Sequence, residues 1–418
     1  MKPLAIRSVR VIDGTGRTIE RATVVVRGTT IAAVGSDRDL SLPRGTTKID
    51  GRGLTLLPGL IDCHVHLCLG AEPDVVDAIT RETPALTLLK SSQAARLTLE
   101  AGFTTVRDVG SRDHSIFTLQ RAIDAGLIPG PRIVGAGLAI CMIGGHARFI
   151  GQEVEGTEQV RSVVRAQIAA GAAVIKVIAS GGVLTPGTSP DQAQMTVEEL
   201  QAAVDEAQRA GRKVAAHAHG STGMKNAIRA GVHSIEHATL MDEEAATMMK
   251  RQGVFMVPTL SALATTAACR LGCGIPESAL GKAKSMTKRH HVSFKKALRD
   301  GIQIAMGTDA GTPFNFHGEN AQELERMVAL EMSPMQAILA STSAAARLIG
   351  IQDQVGTIEK GKLADLILFE GNPLRHIDLL RDRSRIIGVM QAGKFVAGPL
   401  AHQLGVRGKG LLTPHRLS

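Results

Sequence analysis

Eight runs of apolar, largely β-branched residues recur between Leu54 and Gly350, each followed by a stretch of helical character. That alternation restricts the chain to folds made of repeated strand and helix units around a buried parallel sheet. The runs fall at 54–67, 104–109, 132–140, 173–179, 213–219, 234–240, 255–260 and 303–309. Helical patterns occupy gaps between them, for instance at 157–171, 196–211 and 221–231, and all three close on glycine. Thr157 and Thr196 are the capping-type residues that open two of them, the second with Glu199 three positions on. Eight strands with intervening helices over about 300 residues match the size of an α/β fold of the closed (β/α)8 or TIM barrel type. An open doubly wound sheet is the alternative, because strand order is invisible in a sequence.

The two ends of the chain are patterned differently. Short β-type runs at 5–12, 23–27 and 31–34 are punctuated by Asp13-Gly14, Arg27-Gly28 and Gly35, and the style returns at 364–369 and 386–390 around Gly371-Asn372-Pro373. The expectation is a small β-sandwich domain composed of residues 1–57 and 356–418, flanking a barrel of residues 58–355.

Chemistry-bearing residues gather at the ends of the central runs. His64 and His66 close the first, Lys176 lies in the fourth, His217 ends the fifth, His237 falls in the sixth, and Asp309 ends the eighth. In a barrel these ends converge on one mouth, where active sites of this fold are built. His64 and His66 are two positions apart on an extended chain, so both point to one side and suit a single divalent ion. Lys176 stands inside the apolar stretch Ala173-Val174-Ile175-Lys176-Val177-Ile178. A buried unpaired ammonium is costly, so this lysine is expected to pair with Asp309 or Glu236, to shift its pKa, or to be modified. His219 shares the facing of His217 and should sit nearer solvent. His146 lies on the loop after the third run, and either histidine can contact substrate or serve a plainer structural role. His290 and His291 read as a solvated helix face.

Composition narrows the partners. Lys and Arg outnumber Asp and Glu by 48 to 39, a formal charge of +9, but the basic residues are scattered, and a chain with no Trp, no Tyr and nine Phe has few rings to stack on bases. No nucleic acid is expected as a partner. Residues 1–10 lack an apolar signal core, and no uninterrupted apolar stretch reaches the ~18 residues of a membrane span, so neither export nor membrane insertion is expected. Five cysteines do not describe a disulfide framework; Cys269 and Cys273 read as part of a reduced loop, which suits a cytoplasmic protein. Residues 356–362 have P-loop glycine and lysine spacing, yet Leu363 stands where Ser or Thr is required.

Taken in order, Leu57-Pro58-Gly59-Leu60-Ile61-Asp62-x-His64-x-His66, Gly102-Phe103-Thr104-Thr105-Val106-Arg107-Asp108, Ile175-Lys176-x-x-Ala179-Ser180-Gly181-Gly182, Ala216-His217-Ala218-His219-Gly220, Ser234-Ile235-Glu236-His237 and Gly307-Thr308-Asp309-Ala310-Gly311 resemble the amidohydrolase superfamily. The resemblance is to the branch of Xaa-Pro and Xaa-Arg/Lys dipeptidases, imidazolonepropionase-like proteins and ochratoxinase, and it continues through the tail at 356–366. It implies two divalent metal ions, with zinc favoured. His64, His66 and Asp309 would hold one, His217 and His237 the other, and Lys176, carbamylated by CO2, would bridge them. It also implies a homo-oligomer acting on a small-molecule amide or dipeptide.

The expected activity is hydrolysis of an amide-type C–N bond by a metal-bridging hydroxide, with Asp309 as general base and then acid. Catalytic contacts are expected from Asp309, His219 and His146, and substrate contacts from His146, His219, Gly181 and Gly182. A dipeptidase, carboxypeptidase-like enzyme or N-acyl amino acid hydrolase leads. Hydrolysis of ochratoxin-like amides, carbamates or phenylureas follows, then a one-metal deaminase or cyclic-imide hydrolase, and last a non-catalytic scaffold.

Overall fold

The computed structural model describes residues 2–404, so the last part of the expected C-terminal segment, 405–418, lies outside the described residues. Two sheets of purely parallel strands occupy the middle of the chain. Leu60–Val65, Phe103–Asp108 and Arg132–Gly135 pair in that order. The second sheet runs Gly151–Val154, Ala139–Met142, Val174–Ile178, Lys213–Ala218, Ser234–His237 and Phe255–Val257. Most of these strands are buried along their whole length, as parallel sheets covered on both faces must be. That requirement is why they read as near-continuous apolar runs.

Backbone hydrogen bonds join the two sheets at both margins. Ala173 N donates to Gly135 O at 2.9 Å on one side. On the other, residues 303–310 lie between Phe255–Val257 and Leu60–Val65, with parallel bridges Met256 to Ile304 and Val65 to Ala310. There Asp309 N donates to His64 O at 2.7 Å and Cys63 N to Met306 O at 2.9 Å.

Several boundaries differ from the sequence pattern. The run 54–67 is two strands, broken at Gly59, where a β-carbon would collide with the Thr104 side chain. The run 132–140 is likewise two strands, separated by a turn in which Gly137 has φ +72°. Residues 303–309 make isolated bridges rather than a continuous strand, and 255–260 shortens to Phe255–Val257 before Pro258. Thr196 does cap its helix, accepting from Glu199 N at 3.2 Å while Glu199 returns a carboxylate to Thr196 N. Thr157 does not; Glu155 holds that position without a side-chain bond, and Thr157 falls in the first turn.

The two chain ends meet in one eight-stranded sheet. Leu54–Pro58 pairs in parallel with Leu4–Ile12 and antiparallel with Leu366–Glu370, which places the C-terminal strands beside the N-terminal ones. Ile6, Val24, Leu56, Leu366, Leu368 and Met390 pack in a single apolar cluster. Two of the plainer expectations are corrected. His290 is buried, not solvated, and its Nε2 donates to His237 O at 2.9 Å. Cys269 and Cys273 are joined as a disulfide, their Cα atoms 6.3 Å apart, so the loop between the helices Leu260–Ala268 and Glu277–Asp300 is not a pair of free thiols. Among the described residues, no helix is long and apolar enough to cross a membrane.

Asp365 fastens the end sheet to the parallel strands. Its carboxylate accepts from Arg132 Nη1 at 2.7 Å and from Ala392 N at 2.8 Å, and its carbonyl from Gly59 N at 2.8 Å. Because Asp365 is buried and Arg132 only partly so, Asp365→Ala should cost about 2–3 kcal/mol by leaving Arg132 with only Thr105 Oγ1 as acceptor and Ala392 N without a partner. Urea unfolding of the variant beside the native protein measures it, with Asp365→Asn expected to recover part of the loss.

Candidate metal centre

Strand alternation and the C-terminal ends of the parallel strands put eight polar side chains around one cleft: His64, His66, His146, Lys176, His217, His219, His237 and Asp309. All are buried. Two triads are close enough to hold an ion, since the donor atoms of His64, His66 and Asp309, and those of His217, His219 and His237, lie within 4.8 Å of one another in each group. Asp309 Oδ1 is 3.4 Å from His64 Nε2 and 3.3 Å from His66 Nε2.

Each imidazole is oriented by a bond to its other nitrogen, the arrangement that fixes tautomer and ring angle in metal-binding histidines. His64 Nδ1 donates to Glu236 Oε2 at 2.8 Å, and His66 Nδ1 to Gly110 O at 2.8 Å. His217 Nε2 donates to Gly181 O at 3.2 Å, which turns its Nδ1 toward the cleft. His237 Nδ1 shares a 2.7 Å bond with Thr259 Oγ1, and His219 Nδ1 one of the same length with Thr239 Oγ1. His219 is as buried as His217, not nearer solvent, and its ring stacks on His237 with centroids 4.5 Å apart. His237, Thr259 and Asp309 have φ of +72°, +50° and +60°. Left-handed backbone at three non-glycine residues of one site is strain that the surrounding bonds must hold in place.

Lys176 has none of the carboxylate bonds expected of a structural ion pair. Glu236 is occupied by Arg107 Nη2 at 2.7 Å, Ser234 Oγ at 2.5 Å and His64, while Lys176 Nζ is buried with no hydrogen-bond partner. Burial brings its ammonium down to about 8, against the pull of Glu236 and Asp309. Burial also opposes ionisation of Asp309, but His64, His66 and Lys176 outweigh it and hold the carboxyl below its ordinary value. Burial pushes His64 down to about 4 and His146 to about 3, which keeps both rings neutral and able to donate a lone pair. Burial works against protonation of His66 as well, but Asp309 beside it, Asp108 and the Gly110 carbonyl outweigh it and raise that ring's value. Imidazoles, a carboxylate and an unpartnered amine are the donor set of divalent transition metals.

The other expected contacts stand differently. His146 lines the cleft, with Nδ1 on Thr185 Oγ1 at 2.8 Å. Gly181 and Gly182 stand behind the wall: Gly181 O receives His217, and a β-carbon on Gly182 would run into the His146 ring. Most of the remaining wall is apolar, including Phe149, Ile150, Val183, Leu184 and Leu263, with Thr266 and Thr312 as its polar members. Sequence reading passed over Arg107, although a charged residue inside Gly102-Phe103-Thr104-Thr105-Val106-Arg107 carries the same signal as Lys176. It also passed over Glu323, for which the sequence holds no signal.

Glu323, buried, accepts from Leu260 N at 2.7 Å and from Ser261 N and Oγ at 2.8 and 2.6 Å, capping the helix Leu260–Ala268 that follows Thr259 and walls the cleft. Burial raises its carboxyl from 4.5 to about 7, against those bonds and nearby Arg326. A raised folded-state value means that its contribution to stability is complete below about 4.5 and is lost as pH rises through about 7. Glu323→Gln lacks that titration and has one acceptor oxygen for three donors. It should be less stable than the native protein at acid pH, with the gap narrowing by up to ~3 kcal/mol toward neutrality. Urea unfolding across pH 4.5 to 7.5 reads this; a constant gap would remove the assignment.

The profile of the amidohydrolase family matches residues 55–396. Ochratoxinase of Aspergillus niger is 32% identical over 424 residues, covering 93% of this chain and 85% of that protein. The crystal structure of a Xaa-Pro dipeptidase with methionine bound in its active site superposes with a TM-score of 0.89 at 36% identity, covering 95% of this chain and 100% of the other. A prolidase complexed with N-methylphosphonate-L-proline superposes at 0.88 with 32% identity, covering 94% and 99%.

Proposed function

The chain belongs to the amidohydrolase family, and on that premise we propose that it is a two-metal hydrolase of amide-type C–N bonds, acting on a dipeptide or an N-acyl amino acid. The scaffold in this reading is a closed (β/α)8 barrel of residues 58–355, whose closure is supported by the backbone bonds at both sheet margins. The sheet of residues 1–57 and 356–418 is read as a β-sandwich beside it. The observation that carries the proposal is the orphaned amine of Lys176 in the cleft that both triads of ligand atoms line.

His64, His66 and Asp309 would hold one ion, His217 and His237 the other, and Lys176 would bridge them. A neutral Lys176 amine adds CO2 and releases a proton to give a carbamate, exchanging an unsatisfied donor for two anionic oxygens. Bound divalent ions, for which imidazole and carboxylate favour zinc, polarise a carbonyl oxygen and lower the pKa of water to about 7. Asp309, held ionised, takes the proton of the attacking water and passes it to the leaving nitrogen. His146 and His219, both neutral and on the cleft wall, hydrogen-bond the substrate. The chain has no tyrosine, and among the described residues no arginine lines the cleft, so a substrate carboxylate is met by these histidines or by backbone groups. The apolar wall favours a carbon-rich group beside the scissile bond, and ochratoxin-like amides, carbamates and phenylureas are the next substrates to try.

Metal analysis should find about two equivalents per chain in the native protein. Lys176→Ala should lose metal and turnover together, along with the carbamate carbon signal seen by NMR after 13C-labelled bicarbonate is supplied. Full activity in that variant would refute the bridge. Asp309→Asn should keep much of its metal yet lose about 10²–10⁴ in kcat on whichever dipeptide or N-acyl amino acid the native enzyme cleaves.

A further inference from the structure

Lys282 lies on the helix Glu277–Asp300, which also carries His290, and meets a loop 94 to 100 residues before it. Its Nζ donates to Thr188 O at 2.7 Å, Thr185 O at 3.1 Å, Gly182 O at 3.2 Å and Val183 O at 3.5 Å. Four carbonyls of one short loop thus point at one ammonium, and among the described residues no carboxylate forms an ion pair with it. An ammonium has three rotatable donors and no preferred plane, which suits a ring of carbonyls better than a guanidinium would. Residues 181–188 form neither strand nor helix, so their carbonyls have no ladder to satisfy them, and Thr188 Oγ1 supplies the one internal cross-link, to Gly182 and Thr185.

That loop bears directly on the cleft. It follows the strand Val174–Ile178 that carries Lys176. Gly181 O receives His217 Nε2, Thr185 Oγ1 bonds both His146 Nδ1 and Ala147 N, and Val183 and Leu184 are cleft wall. We propose that Lys282 is a positioning residue whose ammonium gathers the carbonyls of residues 182–188 and so sets the wall of the substrate cleft and the ring of His146. The role for catalysis rests on the hydrolase reading; the ordering of the loop does not. Among the described residues Lys282 is not part of the cleft lining, and its hydrogen bonds go to the loop carbonyls rather than to any proposed ligand of the ions.

Lys282→Met keeps the four-atom stem of the side chain and removes the ammonium. It should keep the native metal content, speed hydrogen exchange of the amides in 181–188 by about tenfold or more, and raise KM by about tenfold with kcat changed less than about threefold. In Lys282→Ala, added propylammonium, which replaces the missing atoms and the charge, should slow that exchange again, while 1-propanol should not. Should Lys282→Met fail to fold, Lys282→Ala refolded with propylammonium carries the same comparison on withdrawal of the amine. Native exchange rates in the loop of the uncharged variant, or no response to the amine, would overturn the proposal whatever the enzyme cleaves. An unchanged KM beside a loosened loop would overturn the catalytic half alone.

Discussion

Charge set inside an apolar sheet has to be answered by charge, and in this protein one carboxylate answers for two partners. Glu236, fully buried, takes the guanidinium of Arg107 on one oxygen and His64 Nδ1 on the other. Burial disfavours its ionisation, but Arg107, His64 and Lys176 hold it well below the ordinary carboxylate range. Arg107 in turn donates to Cys63 O, so the strand that presents His64 and His66 is tied to the strand that presents His237. Removing either Arg107 or Glu236 would leave the other charged and dry, a situation far costlier than never having buried the pair.

This pairing also decides the state of Lys176. With both oxygens of Glu236 engaged and Asp309 facing His64 and His66, no carboxylate remains within bonding reach of the lysine amine. Burial brings that amine down to about 8, and in the proposed reading its neutral form is the one that would take up CO2. The cleft is thus prepared by what its lower layer has already used up. Above it, Thr239, Thr259, Gly110 and Gly181 turn the free nitrogens of four histidines inward, and Glu323 anchors the helix that begins beside Thr259.

Much of this could be read along the chain, and for definite reasons. Parallel strands covered on both faces leave continuous apolar runs, so the strand and helix alternation was visible; where a run held an internal break, as at Gly59 and Gly137, it was not. Lys176 stood out because an ammonium among valines and isoleucines needs an explanation. Arg107 met the same criterion. His290 misled, since a histidine within a basic helical stretch resembles a solvated face, and only the packing of that helix against His237 shows it buried. The Cys269 and Cys273 bond escaped because an odd cysteine count argues against a framework of disulfides without excluding a single local one.

The sequence by itself determined the periodicity of the elements, the side of each strand on which a donor stands, and the chemical kinds of donor available, because these follow from residue type and a spacing of two or three positions. Only the tertiary structure decided which nitrogen of each imidazole is free, that Glu236 belongs to His64 from 172 residues away, and that Lys282 closes on a loop 94 to 100 residues before it. Hydrogen bonds act over about 3 Å, and which distant groups come that near is set by how strands are ordered and helices laid against them.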